Sequence, residues 1–411
     1  MKIFNRKLKI TSFALLALCI LFLMSACANG DSQPEQFQAT EQTTVQPTTM
    51  SEEEINDQKL DRFISNMKLE EKVGQMFFVR CPDEDAVQQV REYNIGGYIL
   101  FGRDFDGKTK DEVINCIQSY QDEADIPLLI GVDEEGGTVV RVSSNPNLRE
   151  APFLSPKDTY ADGGWDAVKQ DAEEKADLLL SLGINVNLAP VCDMTSDEYG
   201  FMYDRSFSSD VDMENRFVRT VVETSKSKKL GTVLKHFPGY GNNSDTHTGI
   251  AYDDRDYSEF ENTDFKPFYQ GIESGADCIL VSHNIVNCMD SEYPASLSQK
   301  VHDILRNEFK FDGVIMTDDL IMDAITDFTG DEAAAVTAAK CGNDLLCCSS
   351  VDTQYPAVLE AVQSGKIPEA QVDASVKRIL KWKQNLGIFN IDTYQKKVKS
   401  TETTDTVGSE E

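Results

Sequence analysis

Short runs of apolar and β-branched residues recur through the middle of the chain, at 73–79, 97–101, 127–132, 185–190, 232–236, 277–282, 313–317 and 344–348. Between them the apolar positions fall at helical spacing, as in 165–182, 211–228, 260–274 and 331–340. Several of these stretches stop at a glycine placed to cap a helix C-terminus, namely Gly183, Gly275 and Gly342. Near-continuous apolar strands alternating with helices imply a parallel sheet covered on both faces. Eight such units predict an α/β fold of the (β/α)8 barrel type, in a single catalytic domain over 59–390. An open doubly wound sheet is the poorer match, because no glycine-rich dinucleotide fingerprint follows the first strand.

The ends of the chain break this pattern. Lys2, Arg6, Lys7 and Lys9 precede a mostly apolar stretch, and Ser25 and Ala26 precede Cys27. That is the layout of a secretory signal over residues 1–26, with an apolar run short for a membrane span. Cys27 directly after small residues resembles the lipobox of bacterial lipoproteins, with Met24 where that pattern prefers leucine. On this reading Cys27 is acylated and the protein is exported and lipid-anchored to the outer face of the bacterial cytoplasmic membrane, in the cell envelope. An ordinary cleaved signal is the alternative. Residues 27–58 are polar and read as a disordered tether, and 391–411 as a loose polar tail.

Composition narrows the function classes. Seventy Asp and Glu against 39 Lys and Arg give a net charge of −31. Removing the four cations of the leader takes −31 to about −35. Such a field disfavours nucleic acid, and it leaves a lipid anchor as the means of membrane attachment. Of ten cysteines, eight remain after Cys19 and Cys27 are set aside. They are scattered, without zinc-ligand spacing, and read mainly as buried free thiols.

In an α/β barrel the reactive groups gather where the strands end. Here Asp133, Glu134 and Glu135 follow the third run, Asp193 the fourth, Lys235 and His236 close the fifth, His283 the sixth, and Asp318 and Asp319 the seventh. Two of the four histidines fall within Lys235-His236-Phe237-Pro238-Gly239-Tyr240-Gly241 and the downstream Asp245-Thr246-His247. Asp and His two residues apart suit a general acid/base dyad, or equally a capping Asp beside a surface His. Asp318 is a candidate nucleophile with Asp319 supporting it, unless the pair caps the next helix. The cluster Asp133-Glu134-Glu135 with Arg141 suits sugar hydroxyls better than a metal.

Taken together, these segments resemble glycoside hydrolase family 3, in its NagZ-type β-N-acetylglucosaminidase branch, over most of 58–390. The resemblance implies Asp318 as nucleophile, His247 as acid/base and Asp245 as its orienting partner. Asp133, Arg141, Arg205, Lys235 and His236 match positions that hold the sugar. Tyr240 stands where the family often has histidine, and Thr138 where many members have arginine. The implied activity is retaining removal of terminal β-linked GlcNAc from cell-wall-type glycans, without cofactor or metal. The alternatives are a β-glucosidase or β-xylosidase of the same fold, a GlcNAc phosphorylase, a glycan-binding lipoprotein without catalysis, or a solute-binding lipoprotein.

Overall fold

The computed structural model describes residues 50–241, 249–322, 325, 328, 329 and 334–396. The expected signal, Cys27, most of the tether, Asp245, His247 and the end of the tail therefore lie outside the described residues. In chain order the strands are β1 Phe77–Arg80, β2 Gly97–Leu100, β3 Leu129–Val132, β4 Val186–Asn187, β5 Gly231–Phe237, β6 Tyr252–Asp253, β7 Cys278–Val281, β8 Ile285–Val286, β9 Val314–Thr317 and β10 Leu346–Cys348. Eight of them form one parallel sheet in the order β10-β1-β2-β3-β4-β5-β7-β9. A parallel bridge between Met316 and Leu345 brings its two edges together. The architecture is the expected (β/α)8 barrel.

Pleating sends alternate side chains inward. Phe78, Ile99, Leu129, Val186, Leu188, Val233, Cys278, Leu280, Val314, Met316, Leu345 and Cys347 fill the barrel interior as one buried cluster. The other set faces the surrounding helices, which cover it with the remaining apolar clusters. The helix Glu369–Asn385 contributes Ile379 and Trp382 to the barrel interior, joined by Leu386 at its C-cap. Gly231 makes room for this plug, since a Cβ there would sit 3.1 Å from the Trp382 ring.

Several boundaries differ from the sequence expectation. Residues 73–75 are not strand but the end of a helix, Leu69–Gln75, whose Gly74 lies so close to the backbone of Tyr93 and Asn94 that a Cβ would collide with it. The tether ends earlier than residue 58. Ser51 caps a helix Glu52–Ser65 through a reciprocal pair with Glu54, and Leu60 and Ile64 bury its inner face. The stretch 260–274 splits into Tyr257–Asn262 and Phe265–Glu273 at Asp264, whose carboxylate accepts hydrogen bonds from Arg255 at 3.0 and 3.1 Å. The stretch 165–182 begins earlier, as Pro156–Ser181, and kinks at Gly163 and Gly164. The tail is not loose at its start, for Tyr394 packs edge-on against Phe63 with ring centroids 5.0 Å apart. The eight cysteines of the barrel are free thiols, six of them buried.

Lys383, on the last helix, is fully buried and donates to the Gln75 side-chain oxygen at 2.8 Å. Burial pushes its pKa down to about 7. Between that value and the ordinary lysine range the unfolded chain binds the extra proton, so stability rises with pH across the window. The wild-type melting temperature should therefore climb relative to that of Lys383→Met from about pH 7 to about pH 9.5. Parallel profiles would show that the amine keeps its proton in the fold.

Candidate active site

One more step of the inward alternation carries each strand from apolar to polar side chains. Phe78 is followed by Arg80, Ile99 by Phe101, Gly131 by Asp133, Val233 by Lys235 and Met316 by Asp318. All five line a cavity of about 480 Å³ at the strands' C-terminal ends, which Leu188, Leu280 and Cys347 floor. Arg141, Arg205, His236, Glu135, Asp319, Thr138, Phe201 and Tyr240 complete most of the wall. Six of the eight residues expected in catalysis or sugar binding thus meet at one mouth: Asp133, Arg141, Arg205, Lys235, His236 and Asp318.

The centre of the site is a buried charge cluster. Lys235 Nζ lies 2.6 Å from Asp133 Oδ1 and 2.7 Å from Glu135 Oε1. Arg205 grips the same Glu135 with two parallel bonds, Nε at 3.0 Å and Nη2 at 2.8 Å. Burial alone would push the Glu135 carboxyl up, but the two cations outweigh it and hold it well below the usual carboxylate range. Lys235 responds in the opposite sense. Its burial disfavours charge, yet Asp133 and Glu135 raise its pKa above the lysine norm.

His236 is fixed from behind. Its Nδ1 lies 2.7 Å from Asp193 Oδ2, and that oxygen also accepts the His236 backbone N–H at 3.0 Å. The other Asp193 oxygen accepts the Tyr240 N–H at 2.7 Å. A carboxylate on Nδ1 leaves Nε2 facing Arg205 Nη2, 3.3 Å away. Arg255 ties together residues that flank 242–248, the stretch to which Asp245 and His247 belong. It donates to the Gly239 carbonyl at 3.1 Å and pairs with Asp253 at 2.7 Å and Asp264 at 3.0 Å. Gly239, at φ 121°, lies so close to Asp264 that a Cβ would stand 2.3 Å from its carboxylate.

At the end of β9, two strands along from β5, Asp318 Oδ1 accepts the Asp319 N–H at 2.8 Å. Asp319 is turned aside, with Oδ2 on Ser349 Oγ at 2.8 Å and Oδ1 accepting the Ile321 N–H at 3.2 Å. Burial raises its pKa against the hydrogen bond from Ser349. His283 lies beneath the pair, fully buried, with Nε2 donating to the Asp319 carbonyl at 3.1 Å.

Three assignments change. Glu134 does not reach the cavity. Its carboxylate accepts the Arg141 and Val142 N–H groups at 2.9 and 2.7 Å and the Ser143 hydroxyl, shaping the loop that presents Arg141. Glu135, read from sequence only as part of an acidic run, is the common partner of both cations. Arg80 and Phe101 were not singled out at all, although extending the strand alternation by one step places both inward. Among the described residues no group of three or more His, Cys, Asp or Glu is arranged to hold a metal ion.

The model for the glycosyl hydrolase family 3 N-terminal domain matches residues 68–382. Similar proteins include a β-hexosaminidase of Hydrogenovibrio crunogenus, 33% identical over 258 residues that cover 61% of this chain and 71% of the other. Another, from Nitrosomonas eutropha, is 32% identical over 267 residues, covering 63% and 75%. Among solved structures, a family 3 β-N-acetylglucosaminidase from Paenibacillus sp. str. FPU-7 superposes with a TM-score of 0.73 at 29% identity, over 84% of this chain and 66% of that one. LpqI of M. tuberculosis superposes at 0.71 with 26% identity, over 79% and 96%.

Removing one member of a buried ion cluster strands the others without compensation. Glu135→Gln should cost about 3–5 kcal/mol of unfolding free energy, read from urea denaturation. A loss below about 1 kcal/mol would mean that water or Asp133 alone satisfies Lys235 and Arg205.

Proposed function

This chain belongs to glycosyl hydrolase family 3 and is a glycoside hydrolase, and we propose that it is a retaining exo-β-N-acetylhexosaminidase that removes terminal GlcNAc from cell-wall-type glycans. The observation that carries this reading is the single cavity in which Asp318 faces the Lys235, Asp133, Glu135, Arg205 and His236 cluster. The apolar floor and the Trp382 plug close the barrel below it, which suits a site that accepts the end of a chain. Charged hydrogen-bonding groups fixed by one another can discriminate sugar hydroxyls strongly, because a wrong sugar leaves them unpaired.

In the proposed reaction an Asp318 oxygen attacks the anomeric carbon while His247 gives a proton to the leaving oxygen. The C1–O bond to the aglycone breaks and a glycosyl-aspartate forms. Neutral His247, oriented by Asp245, then takes a proton from water, which displaces Asp318 with overall retention. Most retaining glycosidases divide these tasks between two carboxylates. An imidazole base carries no negative charge in the second step, so it repels an anionic acceptor less than a carboxylate does. We extend the proposal to location: export through residues 1–26 and acylation of Cys27 would hold the enzyme at the outer face of the cytoplasmic membrane, where GlcNAc-MurNAc fragments and muropeptides occur.

The test is nitrophenol release from 4-nitrophenyl β-GlcNAc beside the β-glucoside, using protein that lacks residues 1–27. Preference for the N-acetyl sugar is expected, and preference for glucose would refute the proposed specificity. Asp318→Asn should lower kcat by roughly a thousandfold or more while the melting temperature holds. Near-normal turnover in that variant would remove Asp318 from the nucleophile role. In phosphate buffer, sugar 1-phosphate among the products would show phosphorolysis, and free GlcNAc alone would show hydrolysis.

A further inference from the structure

His283 follows the end of β7, and no step of the proposed reaction uses it. It is fully buried and stands behind the cavity wall rather than in it. A histidine placed so deep needs partners for both ring nitrogens, and both are supplied. Nε2 lies 3.1 Å from the Asp319 carbonyl oxygen, and Nδ1 lies 2.7 Å from Ser296 Oγ. A carbonyl can only accept, so Nε2 carries a proton whatever the charge of the ring. Ser296 is itself buried and fixed. Its N–H donates to the Ser282 carbonyl at 2.9 Å, and its carbonyl accepts Asn343 Nδ2 at 2.7 Å.

The other end of this chain of bonds is Asp318. The peptide joining Asp319 to Leu320 is held from two neighbouring strands. Its carbonyl takes the His283 N–H from the β7 side, and its N–H donates to the Cys347 carbonyl of β10 at 3.0 Å. Residue 319 is thereby clamped, and its own N–H, one peptide earlier, meets Asp318 Oδ1 at 2.8 Å. That bond fixes the plane of the carboxylate and favours its charged form. An attacking carboxylate needs both, since a misplacement of about 1 Å can cost roughly a hundredfold in rate.

We propose that His283 is a positioning residue for the nucleophile: by holding the Asp319 carbonyl, it keeps the Asp319 N–H on the Asp318 carboxylate. The inference rests on the reading of Asp318 as nucleophile and deepens it. Ser296 sets the ring, the ring sets the peptide, and the peptide sets the carboxylate. A histidine that served only the core would stabilise the barrel and leave the ionisation of Asp318 alone.

The experiment is the pH profile of kcat/KM for the full chain on 4-nitrophenyl β-GlcNAc, whose acid limb reports ionisation of the nucleophile in the free enzyme. Losing an N–H that favours the charged form raises a carboxyl pKa, so the limb moves up. In His283→Leu it should rise by about half a unit to one unit, with kcat down by about tenfold or more. Asp133, Glu135, Arg141, Arg205, Lys235 and His236, with Arg80 and Cys347, share the cavity with Asp318 and Asp319, and none is altered in the variant. His283→Gln should return the limb close to its wild-type position, because an amide N–H can reach the same carbonyl. Should His283→Leu not fold, Ser296→Ala loosens the ring without removing it, and the limb should rise by a smaller amount. An acid limb that stays at its wild-type position in the folded variants overturns the proposal. A limb that rises equally in His283→Leu and His283→Gln overturns it too, since the ring's charge and not its N–H would be responsible. Failure of the underlying reading looks different: Asp318→Asn would keep near-normal turnover, and the acid limb would belong to another group.

Discussion

The site depends on a lysine buried inside a barrel. Lys235 continues the inward row of β5 beyond Val233, and an unpaired ammonium there would cost several kcal/mol. Asp133 from the end of β3 and Glu135 from the loop beyond it make the position tolerable, and Arg205 in turn neutralises the second carboxylate. Each charge is therefore the condition for the next. The cluster spans three strand ends, so it holds the loops after β3 and β4 to the tip of β5 with little freedom. His236 then inherits its orientation from the same construction, through Asp193 behind it and Arg205 beside it. What would be a poor stability device elsewhere works here as a template for position.

The barrel was legible because its signal is repeated eight times, and a repeated pattern survives errors in any one unit. The single-unit errors have local causes. At 73–75 a helical turn was read as strand because Val73 and the apolar run beyond Met76 form one continuous stretch. The split at Asp264 was hidden because acidic residues between Phe260 and Phe268, Glu261 and Asp264, resemble the polar face of one helix. Its carboxylate instead serves Arg255, a partner nine residues away that only the folded chain reveals.

The site was legible as a set of residues but not as a set of roles. Asp133, Glu134 and Glu135 are three consecutive carboxylates of similar chemistry, and sequence offers no means of knowing that the middle one turns back to cap backbone N–H groups. Arg80 was missed because it ends an apolar strand whose boundary had been placed one residue short. Phe101 was missed because an aromatic residue closing an apolar run looks like core. Both errors disappear once the inward phase of each strand is known, and that phase is visible in the filling of the barrel interior.

The plug at the base of the barrel bears on how the chain is made. Trp382 belongs to the last helix, and β10, the last strand, pairs with β1, the first. The hydrophobic interior thus cannot be sealed from water until nearly the whole chain has emerged, and the closing contacts join segments about as distant in sequence as the domain allows. Folds of this kind form late and slowly relative to synthesis. A keystone so near the end of the domain leaves the rest of the barrel open until the last helix is supplied.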